Sequence, residues 1–270
     1  MSSDQAQKAL RQSGRFSASD ADLVVKSSDG VLFNVHRRNL EMHSEGFPGA
    51  DFVTNGEIVE LSETAETLHL LFQYMYRQPQ PNLEGEPFKI IAGLAEAAEK
   101  YRVFPALEIC KVFMKAAIPT HPTAVFLYAA RHGHLNLCNE VAPKSIGYPV
   151  ADALRNFDST VLASWLLYRE QWVKVWVNSL QEPSVVLHKG GIAECDLWPL
   201  FRRHVVSTLS QNIGCVMEYA EVFRRAEEQY RLGTECSHCA IRAARWDANI
   251  QGLISTVKSF RDMQQQALEP

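Results

Sequence analysis

Near its C-terminus the chain reads Glu-Cys-Ser-His-Cys, with Cys236 and Cys239 bracketing Ser237 and His238. Two thiols at this spacing support three chemistries: half of a tetrahedral zinc site, a dithiol–disulfide couple, or plain packing as small apolar side chains. Zinc needs four converging ligands, usually as two tight pairs. Cys195 and Cys215 also lie in the last third, with His188 and His204 nearby. They stand too far apart in sequence to form a second knuckle. A redox pair needs a thioredoxin-like strand–helix setting, whereas the surroundings of Cys236 read as helix. In the first turn of that helix, the N-terminal dipole would lower the thiol pKa values. Plain structural thiols are the preferred reading, and no cofactor is expected. A structural zinc on Cys195, Cys215, Cys236 and Cys239 is the alternative. A zinc- or thiol-dependent enzyme built on these residues is the reading from a different class.

Other chemistry is scarce. The chain has no phosphate loop, dinucleotide fingerprint, HExxH or GxSxG motif. The stretch Ala129–Leu137 (AARHGHLNL) is like a turn between ankyrin helices, yet no repeat of about 33 residues recurs. The 270 residues carry a net charge of −4, with Lys and Arg spread along the chain, so no cationic face for a phosphate backbone is expected and nucleic acid is excluded as a partner. No apolar run approaches the roughly 20 residues of a membrane helix. The first ten residues are polar and carry no apolar signal core. Six cysteines without such a signal point to free thiols in a reducing compartment, the cytosol or nucleus.

The elements that must position these residues fall into two textures. Residues 1–19 read as a flexible tail, with a short helix at Gln5–Gln12. Asp22–Lys26 and Val31–Val35 are β-prone, and Asp29-Gly30 favours a tight turn between them. Ile58–Leu61 is a third strand. Thr64 then caps a helix carrying Leu68, Leu71, Phe72, Met75 and Tyr76 on one face. Gln78–Asn82 stops it. Pro87 and Pro105 open two further helices. Beyond Pro119 everything reads as helical: a pair at Pro122–Gly133 and Leu135–Ile146, and a long helix over Ser159–Leu180 capped by Asp158. Its Trp165, Trp172 and Trp176 form a core stripe. A loop at Glu182–Gly191 precedes helices at Asp196–Asn212 and Cys215–Leu232, and a last one from Ser237 to Gln265.

The segment DADLVVKSSDGVLFNVHRRNL resembles the opening of the BTB/POZ domain: an Asp before a hydrophobic strand, a hairpin, an F-x-V-H strand, then H-R-x-x-L entering a helix. The matching residues are Asp22, Phe33, Val35, His36, Arg37 and Leu40. LHLLFQYMY and LAEAAEKYRVFPALEIC are similar to later helices of the same family. HPTAVFLYAARHGHLNLCNEVAPKSI is similar to the helical extension of a BTB group expanded in fungi. The resemblance implies an α+β fold, a BTB/POZ-like small three-stranded sheet with packed helices over residues 20–118. An all-helical C-terminal extension over 119–270 follows.

It also implies a non-enzymatic protein–protein interaction module. Many members dimerise, and some act as substrate adaptors of a cullin-type ubiquitin ligase. The expected partner is therefore a protein: a second copy of the chain, a partner on the helical extension, or a cullin. In family dimers the residues matching Asp22 and Arg37 form a charged pocket near the interface. With His36 they are the binding candidates here. His36 itself reads first as an imidazole hydrogen-bonded within the fold. The chain departs from the family in its short N-terminal segment and in MHSEGFPGADF (Met42–Phe52), where two glycines and a proline interrupt a helical hairpin.

Overall fold

The computed structural model describes residues 11–47, 57–191 and 195–268. The fold is α+β, and the chain divides into two compact units, residues 1–120 and 121–270.

The first unit is built on strands β1 (Arg11–Ser17), β2 (Leu23–Lys26), β3 (Val31–Val35) and β4 (Val59–Glu60), in the order β1-β3-β2-β4. β2 and β3 form the expected antiparallel hairpin, pairing Leu23 with Val35 and Lys26 with Leu32. Gly30, at φ 86°, supplies the left-handed conformation that the turn requires. β4 joins β2 in parallel. Around the sheet lie helices α1 (Arg37–His43), α2 (Ala65–Gln73), α3 (Phe88–Tyr101) and α4 (Phe104–Ala116). Thr64 caps α2, its hydroxyl accepting the amide of Thr67. Asp29 reaches across from the hairpin turn and accepts the amide of Ala65 at 2.7 Å, so the turn and the helix start are fixed together.

The expected three-stranded sheet is corrected to four strands. Arg11–Ser17, read as tail and in part as helix, pairs in parallel with β3, with an irregular register between Gln12 and Ser17. Residues 1–10 lie outside the described residues, as do residues 48–56 of the glycine- and proline-bearing segment. The sequence RQSGRFS has no β-branched residue to announce a strand. Its place is set by the free edge of β3 and by Phe16. That ring is buried against Phe33, His69, Phe72 and Tyr76, at centroid distances of 5.4–6.1 Å.

The second unit is helical: α5 (Pro122–Arg131), α6 (Leu135–Ser145), α7 (Val150–Asn156), α8 (Ser159–Leu180), α9 (Leu197–Leu209), a 3₁₀ turn (Ile213–Glu218), α10 (Tyr219–Tyr230), α11 (Leu232–Glu235), α12 (Ser237–Ser255) and α13 (Phe260–Leu268). Asp158 caps α8 through the amides of Thr160 and Val161. Trp165 is fully buried and donates its indole N–H to Ser145 Oγ at 3.0 Å. Trp172 is buried as well, and Trp176 donates to the Leu209 carbonyl.

The expected single helix from Ser237 to Gln265 is broken. Ser259 and Asp262 bond reciprocally, Asp262 Oδ2 accepting the Ser259 amide and the Asp262 amide donating to Ser259 Oγ. This capping box restarts the helix, so that Phe260 enters the core beside Phe126 and Tyr168. No helix among the described residues is long and apolar enough to cross a membrane.

Candidate functional site

Among the described residues, the candidates read from the sequence fall into two groups, one in each unit. In the first, β3 ends at Val35 and the chain turns into α1, whose own N-cap residue, His36, offers no side-chain cap. Asp22, just before β2, supplies it. Its Oδ1 accepts the Arg37 amide at 2.8 Å, placing a carboxylate at the positive end of the helix. The Arg37 guanidinium, almost wholly buried, donates through Nε to the Asp22 backbone carbonyl at 3.4 Å.

His36 is half-buried and tied to Tyr76. The phenolic oxygen accepts the His36 amide at 2.9 Å and lies 3.0 Å from His36 Nδ1, while Nε2 lies 3.4 Å from Asp20 Oδ1. Burial pushes the Tyr76 phenol above its usual range, and the neighbouring carboxylates of Asp22 and Asp20 push the same way. Asp22, His36 and Arg37 thus lie together, and every bond named among them is internal to the unit. Their chemistry is that of a joint between sheet and helix.

In the second unit, ligand-type atoms of His188, Cys195, Cys236 and Cys239 all lie within 4.8 Å of one another. Cys195 Sγ is 3.2 Å from Cys239 Sγ. His188 Nε2 is 3.1 Å from Cys236 Sγ and 3.7 Å from Cys239 Sγ. Three elements bring them together. His188 comes from the segment between α8 and α9, whose described residues carry no helix or strand. Gly190 and Gly191, at φ 85° and 81°, let the chain reverse after it. Cys195 sits just before α9, with the amides of Leu197 and Trp198 facing its sulfur closely enough to lower the thiol pKa. Cys236 is the N-cap of α12, its sulfur accepting the Cys239 amide at 3.5 Å. His238 stacks on His188, with centroids 4.7 Å apart.

The electrostatics favour thiolate at Cys195, just ahead of the start of α9. Desolvation works to raise the Cys195 pKa. The bonds from Cys239, the two amides and Cys236 outweigh it and bring the thiol down to about 7. Cys239 moves the other way, raised by burial and by the neighbouring sulfurs. Cys110 and Cys138 make the contrast. Both are buried, and burial pushes each thiol up to about 12. These two are the packed, inert thiols that the sequence leads one to expect throughout.

The alternative zinc set read from the sequence differs from this group at one position. Cys215 lies on the 3₁₀ turn and is not in the group, and His188 takes the fourth place. Sequence spacing missed it because six residues separate His188 from Cys195, so the second pair is not tight. The readable signal was the Gly-Gly reversal between them. All four groups belong to protein side chains, and four such ligands would close a tetrahedral site without an open position.

Buttressing the same region, Glu182 sits at the end of α8. Its Oε1 accepts from Arg242 Nη2 at 2.8 Å and from the Trp198 indole at 3.0 Å, and its other oxygen pairs with Arg202. Arg242 is buried, lies 4.2 Å over the Trp198 ring and also donates to the Pro183 carbonyl. Neither a protein-family model nor a curated protein matches the chain.

Proposed function

We propose that the chain is a non-enzymatic protein–protein interaction module of BTB/POZ type, carrying a helical extension as its second unit. One observation carries the reading. The residues on which the sequence resemblance rests are joined to one another within a single hub. Asp22 caps the helix that begins at Arg37, His36 bonds Tyr76 of the Tyr-Met-Tyr segment, Phe33 packs on Phe72 at 5.5 Å, and Leu40 is fully buried. Local pattern and tertiary contact agree at these residues, the consistency across levels that a fold-specifying motif needs.

Self-association is the mechanism we assign to the first unit. On α4, Phe104, Ile109 and Val112 are exposed, and Met42 at the end of α1 is exposed as well. Large apolar side chains left in water on one small unit fit a contact with a second copy. The second unit holds a further protein partner in this reading.

The test is the solution mass of the full chain by light scattering over a wide concentration range, with a Phe104→Asp/Val112→Asp double variant beside it. A dimer that the variant reduces to a monomer is the expected result. A wild-type monomer at every concentration would remove self-association.

A further inference from the structure

We propose that His188, Cys195, Cys236 and Cys239 bind one zinc ion, in a closed, structural S₃N site. The inference is independent of the interaction reading above, because it rests on the second unit alone.

Geometry comes first. Zinc bonds of about 2.3 Å to sulfur and 2.0–2.1 Å to nitrogen make a tetrahedron with edges of roughly 3.5–3.8 Å. The described edges of this cluster are 3.1, 3.2 and 3.7 Å, and no pair of ligand atoms exceeds 4.8 Å. Contraction by a few tenths of an ångström on one side, and expansion on the other, gives the metal its place. His188 presents Nε2, and not its other nitrogen, to the sulfurs.

Charge comes second. Three sulfurs drawn together repel once ionised, although the Cys236 sulfur does accept the Cys239 amide at the start of α12. A divalent cation resolves this conflict: the thiols release their protons to solvent and the net charge of the site falls to −1. Three thiolates and an imidazole select a borderline-soft ion of tetrahedral preference, which is zinc.

The segment between α8 and α9 has no regular structure among its described residues, and irregular stretches of this length in a compact unit need a reason. Glu182 and Pro183 are tied to Arg242 at its start. His188 and Cys195 would tie its remainder to the first turn of α12. The ion would thus staple the α8–α9 segment and α9 onto α12, replacing apolar burial that the segment's Pro, Ser, Lys and Gly residues cannot supply. With four protein ligands and no vacant position, the ion has no place for a reacting water, so its role is to hold structure.

The experiment uses the untagged full chain, purified without chelators under reducing conditions. Metal content is measured by inductively coupled plasma mass spectrometry. One zinc per chain is expected. Cys236→Ser/Cys239→Ser should lower it at least tenfold, and Cys215→Ser should leave it unchanged. Cobalt(II) added to metal-stripped wild type should give the intense visible absorption of a tetrahedral thiolate site. To keep the test independent of the double variant's stability, a second measurement uses wild type only. All five tryptophans lie at or beyond Trp165, so their fluorescence reports the second unit, and stripping the metal should lower its thermal midpoint, with zinc restoring it. Four outcomes would overturn the proposal: substoichiometric metal with no uptake of added zinc, iron or copper in place of zinc, undiminished zinc in the double variant, or loss of zinc in Cys215→Ser alone.

Discussion

The Tyr76 hydroxyl accepts the backbone amide of His36 at 2.9 Å and lies 3.0 Å from the same residue's Nδ1, across 40 residues of sequence. One phenol thereby fixes the exit of β3, the entry to α1 and the ring of the residue between them. Tyr76→Phe keeps the ring contact with Phe16 but removes both bonds, leaving a part-buried amide without that acceptor. The expected cost is about 1–3 kcal/mol. Chemical denaturation followed by far-UV circular dichroism, with hydrogen exchange at the His36 amide, measures it. An unchanged midpoint and unchanged protection would contradict it.

Glu63 sets an acid limit on the first unit. Partial burial alone would raise its pKa, but bonds from Lys100 Nζ at 2.8 Å and the Tyr101 hydroxyl at 2.7 Å outweigh that, and the carboxyl titrates below its usual range. A folded pKa below the unfolded value of about 4.3 gives stability that is present above that pH and lost as pH falls through the folded pKa. Wild type should therefore exceed Glu63→Gln in stability at pH 6, and the gap should close toward pH 3. Denaturation midpoints of both proteins across that range give the answer. A gap that stays constant with pH would show that the charge contributes nothing.

Gly46 is exposed, yet it has no room for a side chain. A Cβ there would lie 2.5 Å from Tyr101 Cα and 2.7 Å from its carbonyl oxygen, which also accepts the Gly46 amide at 2.9 Å. Gly46→Ala must push backbone from backbone, at a cost of about 1–3 kcal/mol. Thermal denaturation should register a loss of several degrees, and wild-type stability in the variant would refute the close approach.

Glu182 joins three elements of the second unit, so Glu182→Ala strips acceptors from the buried Arg242, from Arg202 and from the Trp198 indole together. Part of the carboxylate is exposed to water, which moderates the loss to about 1–3 kcal/mol. Tryptophan fluorescence during urea denaturation should show the decrease. Hydrogen exchange at first-unit amides such as that of His36 should not move with it. An equal loss of protection in the first unit would mean that Glu182 does not act locally.

Much of this was legible in the sequence for local reasons. Turn chemistry at Asp29-Gly30 and the apolar alternation around it gave the β2–β3 hairpin. Thr64 and Asp158 announced the starts of α2 and α8, because an N-cap satisfies its amides within three residues. The apolar run of Leu68, Leu71 and Phe72 gave the buried face of α2. The Ser259–Asp262 capping box was equally local, and it could have been found from its spacing.

What remained was non-local. β1 exists because β3 offers a free edge and Phe16 finds an aromatic pocket formed by residues of β3, α2 and the segment after it, none of which its own seven residues encode. Cys236 and Cys239 were visible as a pair from their spacing alone. That His188 and Cys195 join them, and Cys215 does not, depends on how the α8–α9 segment folds back over 41 to 51 residues to the start of α12. Spacing fixes only neighbours along one helix or turn, whereas convergence of four ligands is a property of packed elements, and packing is decided by the whole unit at once.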